Sequence, residues 1–69
     1  MRANLKKARL DAGLTQERLA GMLGVSERYY RMIEAGMRNG DFEMWDSLED
    51  IFGVHQRKLR EIAPNENVE

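Results

Sequence analysis

The sequence predicts an all-α fold, a compact domain of five short helices over residues 1–63 followed by a flexible polar tail over residues 64–69. Three observations carry that expectation. Apolar residues recur at three- and four-residue spacing instead of alternating. Glycines stand behind the periodic runs, and Thr15, Ser26 and Asp41 stand just ahead of three of them, where helix caps belong. Charged residues make up 33% of the chain and there is one proline, a balance that suits helices better than a many-stranded sheet or disorder.

The elements follow in order. A first helix is expected over about Ala3 to Ala12, with Leu5, Ala8 and Ala12 inward and Gly13 ending it. Thr15 caps a second, Gln16 to Leu23, whose inward face is Leu19, Ala20 and Leu23. Gly24 closes it, since a glycine there permits the left-handed conformation of a tight exit. Ser26 caps a third helix, Glu27 to Ala35, with Tyr30 and Ile33 as its apolar stripe and Gly36 behind it. The turn-rich segment Gly36-Met37-Arg38-Asn39-Gly40-Asp41 leads to a fourth, Phe42 to Phe52, with Trp45, Leu48, Ile51 and Phe52 at the spacing of one buried face. Gly53 stops it. A last short helix, Gln56 to Ile62, presents Leu59 and Ile62, and polar residues follow Pro64.

Length and composition bound the function. At 69 residues the chain is one domain near the lower size limit, with only about 3–5 kcal/mol of stability from its core. An elaborate active-site cleft does not fit that size. There is no cysteine, hence no disulfide scaffold and no thiolate metal site. No apolar run approaches the roughly 18 residues of a membrane span, and the opening MRANLKKARLDAG lacks the apolar core of a secretory signal. A soluble cytoplasmic chain is expected. One histidine, His55, and two serines offer no nucleophile with a matching base, and no glycine-rich phosphate loop is present. Asp46, Glu49 and Asp50 are spread along a solvated helix face. A protein without catalytic residues, cofactor or metal is expected.

Charge is unevenly distributed. Residues 1–38 hold eight Lys/Arg against four Asp/Glu, a net of +4, whereas residues 39–69 hold three against eight, a net of −5. A chain with one anion-facing surface and one acidic back or partner face has this asymmetry. Uneven charge also arises by chance in short helical chains, so the pattern needs a second signal.

The stretch Gln16 to Ala35, QERLAGMLGVSERYYRMIEA, supplies it. Two helices joined by a turn of three or four residues cross steeply and pack closely. Such a crossing needs a small side chain, which Ala20 provides, and a turn residue free of a Cβ penalty, which Gly24 provides. The next residue must turn inward as an apolar plug, here Val25. Leu19 and Leu23 face Tyr30 and Ile33 across the joint. All these requirements are met in register.

Leu14-Thr15-Gln16-Glu17, Leu19-Ala20, Leu23-Gly24-Val25-Ser26, Ile33-Glu34, Gly36, Arg38-Asn39 and Phe52-Gly53-Val54 together resemble the phage repressor/Cro-like (XRE-type) helix-turn-helix family, over about Leu5 to Leu59. The resemblance implies a five-helix, lambda-repressor-like DNA-binding domain with the helix-turn-helix at helices 2 and 3. It implies helix 3 in the major groove of a palindromic operator, and a transcriptional regulator, a repressor by preference. Glu27, Arg28 and Met32 match positions that read base edges. Arg28 suits a bidentate contact to guanine, Glu27 accepts from a cytosine amino group or simply favours the helix dipole, and Met32 meets a thymine methyl. Gln16 matches a backbone-contacting glutamine at a helix N-terminus that attracts phosphate. Tyr29, through its hydroxyl or along the groove wall, and Arg31 are further backbone candidates, while Tyr30 belongs to the core. Arg38 and Asn39 resemble the backbone-contacting turn, although Gly40-Asp41 replaces a proline common among relatives and leaves the loop freer. Arg9 and Glu34 match a pair that bridges helices 1 and 3.

The resemblance further implies a homodimer on the operator, formed through the C-terminal helix with Val54, Leu59 and Ile62. His55 stands where relatives have a serine-like cap. An antitoxin-like or other protein-interaction module on the same fold, with a protein partner on the acidic second half, is the alternative reading.

Overall fold

The computed structural model describes residues 1–62; the expected tail over residues 64–69 lies outside them. These residues form α1 (Ala3–Asp11), α2 (Gln16–Leu23), α3 (Glu27–Ala35), α4 (Phe42–Phe52) and α5 (Gln56–Arg60). The bounds of α2, α3 and α4 are those expected, because each begins at a side chain that satisfies an orphan N–H. Thr15 Oγ1 accepts from the Arg18 N–H at 3.0 Å, Ser26 Oγ from Tyr29 at 3.0 Å and Asp41 Oδ1 from Met44 at 2.9 Å. Each such cap is worth about 1 kcal/mol. His55 caps α5 in the same manner, its Nδ1 accepting from the Arg57 N–H at 3.0 Å. An imidazole nitrogen thus replaces the serine-like oxygen.

Both terminal helices are shorter than expected. α1 stops at Asp11, where the Gly13 N–H bonds the Leu10 carbonyl at 3.0 Å and tightens the turn. α5 stops at Arg60, short of Ile62, because Glu61 is drawn out of helical geometry (ψ 127°). Asn4 of α1 meets this end, donating to Glu61 Oε1 at 2.8 Å and to the Lys58 carbonyl at 3.1 Å.

Leu5, Leu19, Ala20, Tyr30, Ile33, Met44, Trp45, Leu48 and Leu59 form one buried core drawn from all five helices. Leu23, Val25, Ile51, Phe52 and Val54 pack around it half-buried. Met44 joins the core unforeseen, while Ala12 is exposed and Arg9 takes the inward place expected of it. Leu59 is 0% exposed and Ile62 is 49% exposed. Leu59 is therefore committed to its own core and is not available to a second copy, which corrects its expected role in dimerisation.

The segment between α3 and α4 is held closely, not freely. Trp45 Nε1 donates to the Asn39 carbonyl at 2.7 Å, and Arg2 donates to the Arg38 carbonyl at 2.8 Å. Gly40 sits at φ +73°, and a Cβ there would overlap Met44 Cε and lie 2.8 Å from Trp45 Nε1. Gly24, at φ +74°, has open space around the same position. Gly24→Ala is expected to cost about 1–2 kcal/mol, the left-handed penalty alone. Gly40→Ala adds a steric displacement of the core tryptophan and is expected to cost at least about 1 kcal/mol more. Urea midpoints of the two variants check this; equal midpoints would refute the steric part.

Candidate nucleic-acid interface

The joint between α2 and α3 sets the site. Ala20 is 2% exposed at the crossing, and the Val25 N–H returns to the Ala20 carbonyl at 3.0 Å, so the chain reverses within the turn. Tyr30 and Ile33 face inward from α3, and the positions between them face out. Arg28 and Arg31 are exposed, and Glu27, Tyr29 and Met32 are half-buried, Tyr29 packing against the core.

Beneath that face lies a buried polar network built on Glu34. Arg9 Nε donates to Glu34 Oε2 at 2.8 Å and Arg9 Nη2 to Oε1 at 3.2 Å, a two-point pair with both side chains under a tenth exposed. Tyr30 Oη donates to Oε2 at 2.7 Å and Gln16 Nε2 to Oε1 at 3.1 Å. Arg9 Nη1 turns to the Leu14 carbonyl at 2.8 Å. Each carboxylate oxygen accepts two donors. Among the described residues, no buried side-chain nitrogen or oxygen lacks a partner.

Burial pushes the Glu34 carboxyl up, but the hydrogen bonds from Arg9 and Tyr30, the Arg9 charge and the Gln16 amide outweigh it and hold the group below the usual carboxylate range. The Arg9 guanidinium is held above its ordinary value, chiefly by its hydrogen bonds to Glu34. Burial, and then the adjoining carboxylate, push the Tyr30 hydroxyl far up.

Some of the expected contact residues are engaged within the domain and others are not. Glu27 Oε2 and Arg31 Nη2 lie 2.7 Å apart, so a base-reading candidate and a backbone candidate neutralise each other. Gln16 gives its amide to Glu34. Of the N–H groups in the first turn of α2, that of Arg18 is taken by Thr15, and those of Gln16 and Glu17 have no intrahelical acceptor. Arg28 forms no ion pair with any described residue. Arg38 and Asn39 are exposed at their side chains and tied only through their carbonyls.

Two residues escaped the sequence reading. Lys6 lines an open cleft of about 390 Å³ together with Arg9, Gln16, Arg31 and Glu34. Its place one turn before Arg9 was the available signal. Arg2, 3% exposed, donates through Nη1 to the Ile33 carbonyl and, as above, to Arg38, and through Nε to the Arg60 carbonyl at 2.9 Å. Its guanidinium lies 5.1 Å from the centre of the Trp45 ring. A charged residue just ahead of the first helix carries no periodicity signal.

A small helical domain whose second and third helices meet at such a joint, with the outer face of the third left open, is a helix-turn-helix domain. The chain belongs to the helix-turn-helix family, whose model matches residues 5–59. It is similar to an uncharacterized HTH-type transcriptional regulator, YqaE, of Bacillus subtilis (strain 168), with 34% identity over 65 residues. The match covers 94% of this chain and 56% of that protein. No solved structure matches it. No helix among the described residues is long and apolar enough to cross a membrane.

Two predictions follow from the network. Removing one partner of a buried pair strands the other, at about 3–5 kcal/mol. Arg9→Ala is expected to lower the melting midpoint by about 12 °C or more, read by circular dichroism; an unchanged midpoint would refute a stabilising pair. Stability should also depend on pH at both ends. The Glu34 contribution is complete above about pH 4.3, the ordinary glutamate value, and is lost as pH falls through the lower folded value. Tyr30 acts oppositely: above about pH 10 the unfolded hydroxyl ionises while the buried one does not, so stability falls. Urea midpoints across pH should show both limbs, with a shallower alkaline limb in Tyr30→Phe.

Proposed function

We propose that the chain is a sequence-specific, double-stranded DNA-binding transcriptional regulator that inserts α3 into the major groove, acting as a repressor at a palindromic operator. One observation carries the reading: the first turn of α2, with Gln16, and the outer face of α3, with Arg31, open onto the same surface cleft. A phosphate docked on the N-terminus of α2 therefore fixes the depth and angle at which α3 meets the bases. In this reading Gln16, Tyr29, Arg31, Arg38 and Asn39 position the domain on the backbone, while Glu27, Arg28 and Met32 meet base edges. The Glu27–Arg31 pair is exposed and (i, i+4), worth about 0.3–0.5 kcal/mol. DNA releases both side chains at little cost.

A lone half-site contact by so small a domain is weak, and the reading includes a homodimer with recognition helices about 34 Å apart. With Leu59 buried, Val54 and Ile62 remain for such a contact. The exposed acids Glu43, Asp46 and Asp50 on α4 favour a second reading, an antitoxin-like module that holds a basic protein partner there.

Selection from random duplex DNA at physiological salt tests the proposal. Enriched inverted half-sites one helical turn apart are expected. Arg28→Ala should relax preference at one base pair by about 1–3 kcal/mol, and Arg38→Ala should weaken all sequences alike and reduce the salt slope by about one. A folded chain that enriches no sequence would overturn the regulator reading and leave the protein-interaction one.

A further inference from the structure

The second half of the chain is acidic, yet all three of its cations, Arg57, Lys58 and Arg60, fall in the five residues of α5. All three are exposed, and none pairs with an acid among the described residues. α5 packs so that Arg57 and Arg60 line an open cleft of about 660 Å³ whose other walls include Arg2, Asn39, His55 and Glu61. Arg60 and Arg2 lie over the same tryptophan ring, 5.9 and 5.1 Å from its centre. Two guanidinium groups thus share one tryptophan ring and one cleft.

Arg2 is the buried member. Of the five N–H donors of a guanidinium, three go to the carbonyls of Ile33, Arg38 and Arg60. The Nη2 donors have no described partner, and Arg2 lines the cleft. The carbonyls at the C-terminal ends of α3 and α5 offset part of its charge. Even so, burial and then Arg60 hold its guanidinium below its ordinary value. Glu61 lines the cleft and keeps its charge while accepting from Asn4, as do Asp46 and Glu49, which accept from Gln56 at its edge; in the lining itself three cations stand against one acid. The cleft is a surplus of positive charge with directed donors.

Asn39 decides which anion fits. It is both a wall of this cleft and part of the α3–α4 turn on the face assigned to DNA. We propose that this cleft is a second DNA-backbone site, in which Arg57 and Arg60 neutralise phosphates beyond those met by Arg38 and Asn39, with Arg2 as the fixed donor at its floor. The site rests on the DNA-binding reading and adds sequence-independent affinity, because phosphates carry no base identity. It extends the footprint from α2, α3 and their following turn onto α5.

Each phosphate neutralised contributes about 0.9 to the slope of log affinity against log salt. The test is therefore the salt dependence of binding to a mixed-sequence duplex, for the full chain and for Arg57→Gln, Arg60→Gln and the double variant. Lys7→Gln is the control for net charge, since Lys7 is already paired with Asp11 at 2.9 Å. The double variant is expected to lose about one to two units of slope, and Arg57→Gln alone about one, with base preference in random selection unchanged. Arg57, unlike Arg60, neither lies over the Trp45 ring nor accepts from Arg2, so its single variant reports on the site even if Arg60→Gln lowers the melting point. A wild-type chain that binds the duplex with a slope unaltered by Arg57→Gln and by the double variant would overturn this site alone. A wild-type chain that binds no duplex at low salt would overturn it together with the proposed function.

Discussion

A carboxylate taken out of water costs several kcal/mol unless its lone pairs are filled, and Glu34 is where this domain meets that cost. Four donors converge on its two oxygens, from Arg9 on α1, Gln16 on α2 and Tyr30 on α3. Their convergence ties the three helices to one another. Hydrophobic burial is non-directional and scales with the area removed from water. Hydrogen bonds have directional limits. The network therefore sets how far α3 projects and which of its side chains face outward, with the apolar core supplying most of the cohesion.

Arg2 does for the far end of α3 what Glu34 does for its near side, by different means. Its backbone N–H donates to the Glu34 carbonyl at 2.8 Å, and its side chain ties the end of α3, the α3–α4 turn and the end of α5 to one another. Arg9 is buried against an opposite charge. Arg2 is buried against carbonyl dipoles and an aromatic face, which satisfy donors but do not cancel a charge. One cation is electrostatically complete and the other is not. That difference explains why the first reads as scaffold and the second stands at the floor of a cleft suited to anions.

The legible part of the fold was that written in caps and periodicity. Thr15, Ser26 and Asp41 mark three helix starts because an N-cap is a local bond between a side chain and an N–H three residues on. The joint at Ala20, Gly24 and Val25 was likewise visible, since close packing there admits few residue types. What escaped depends on long-range partners. The inner face of α1 carries Arg9, with Arg2 just ahead of the helix, so its apolar pattern is weak and points to Ala12 as the inward residue where the structure has Arg9. The contact of Asn4 with Glu61 at the end of α5 spans 57 residues, and no local signal reveals it. At the candidate interface, Arg28 and Arg38 stand exposed as their positions suggested, whereas the pairing of Glu27 with Arg31 and of Gln16 with Glu34 required coordinates.

Net charge is a poor guide to what such a chain faces. A net of −1 spread evenly would repel a polyanion weakly, but the charges here are sorted by element. Glu43, Asp46 and Asp50 project from α4, away from the core formed by Met44, Trp45 and Leu48. Exposed cations project from the other helices and from the turn after α3: Lys6 and Lys7 on α1, Arg18 on α2, Arg28 and Arg31 on α3, Arg38 in the turn, and Arg57, Lys58 and Arg60 on α5. The screening length at physiological salt is about 8 Å, against a molecule 24 Å across in its narrower dimensions. Charges on different faces are therefore largely hidden from one another and from a ligand on the opposite side. Where α4 meets α5 that separation fails: Asp46 and Glu49 accept from Gln56, next to Arg57 in the wall of the cleft, so a phosphate drawn to α5 meets those acids as well as the cations.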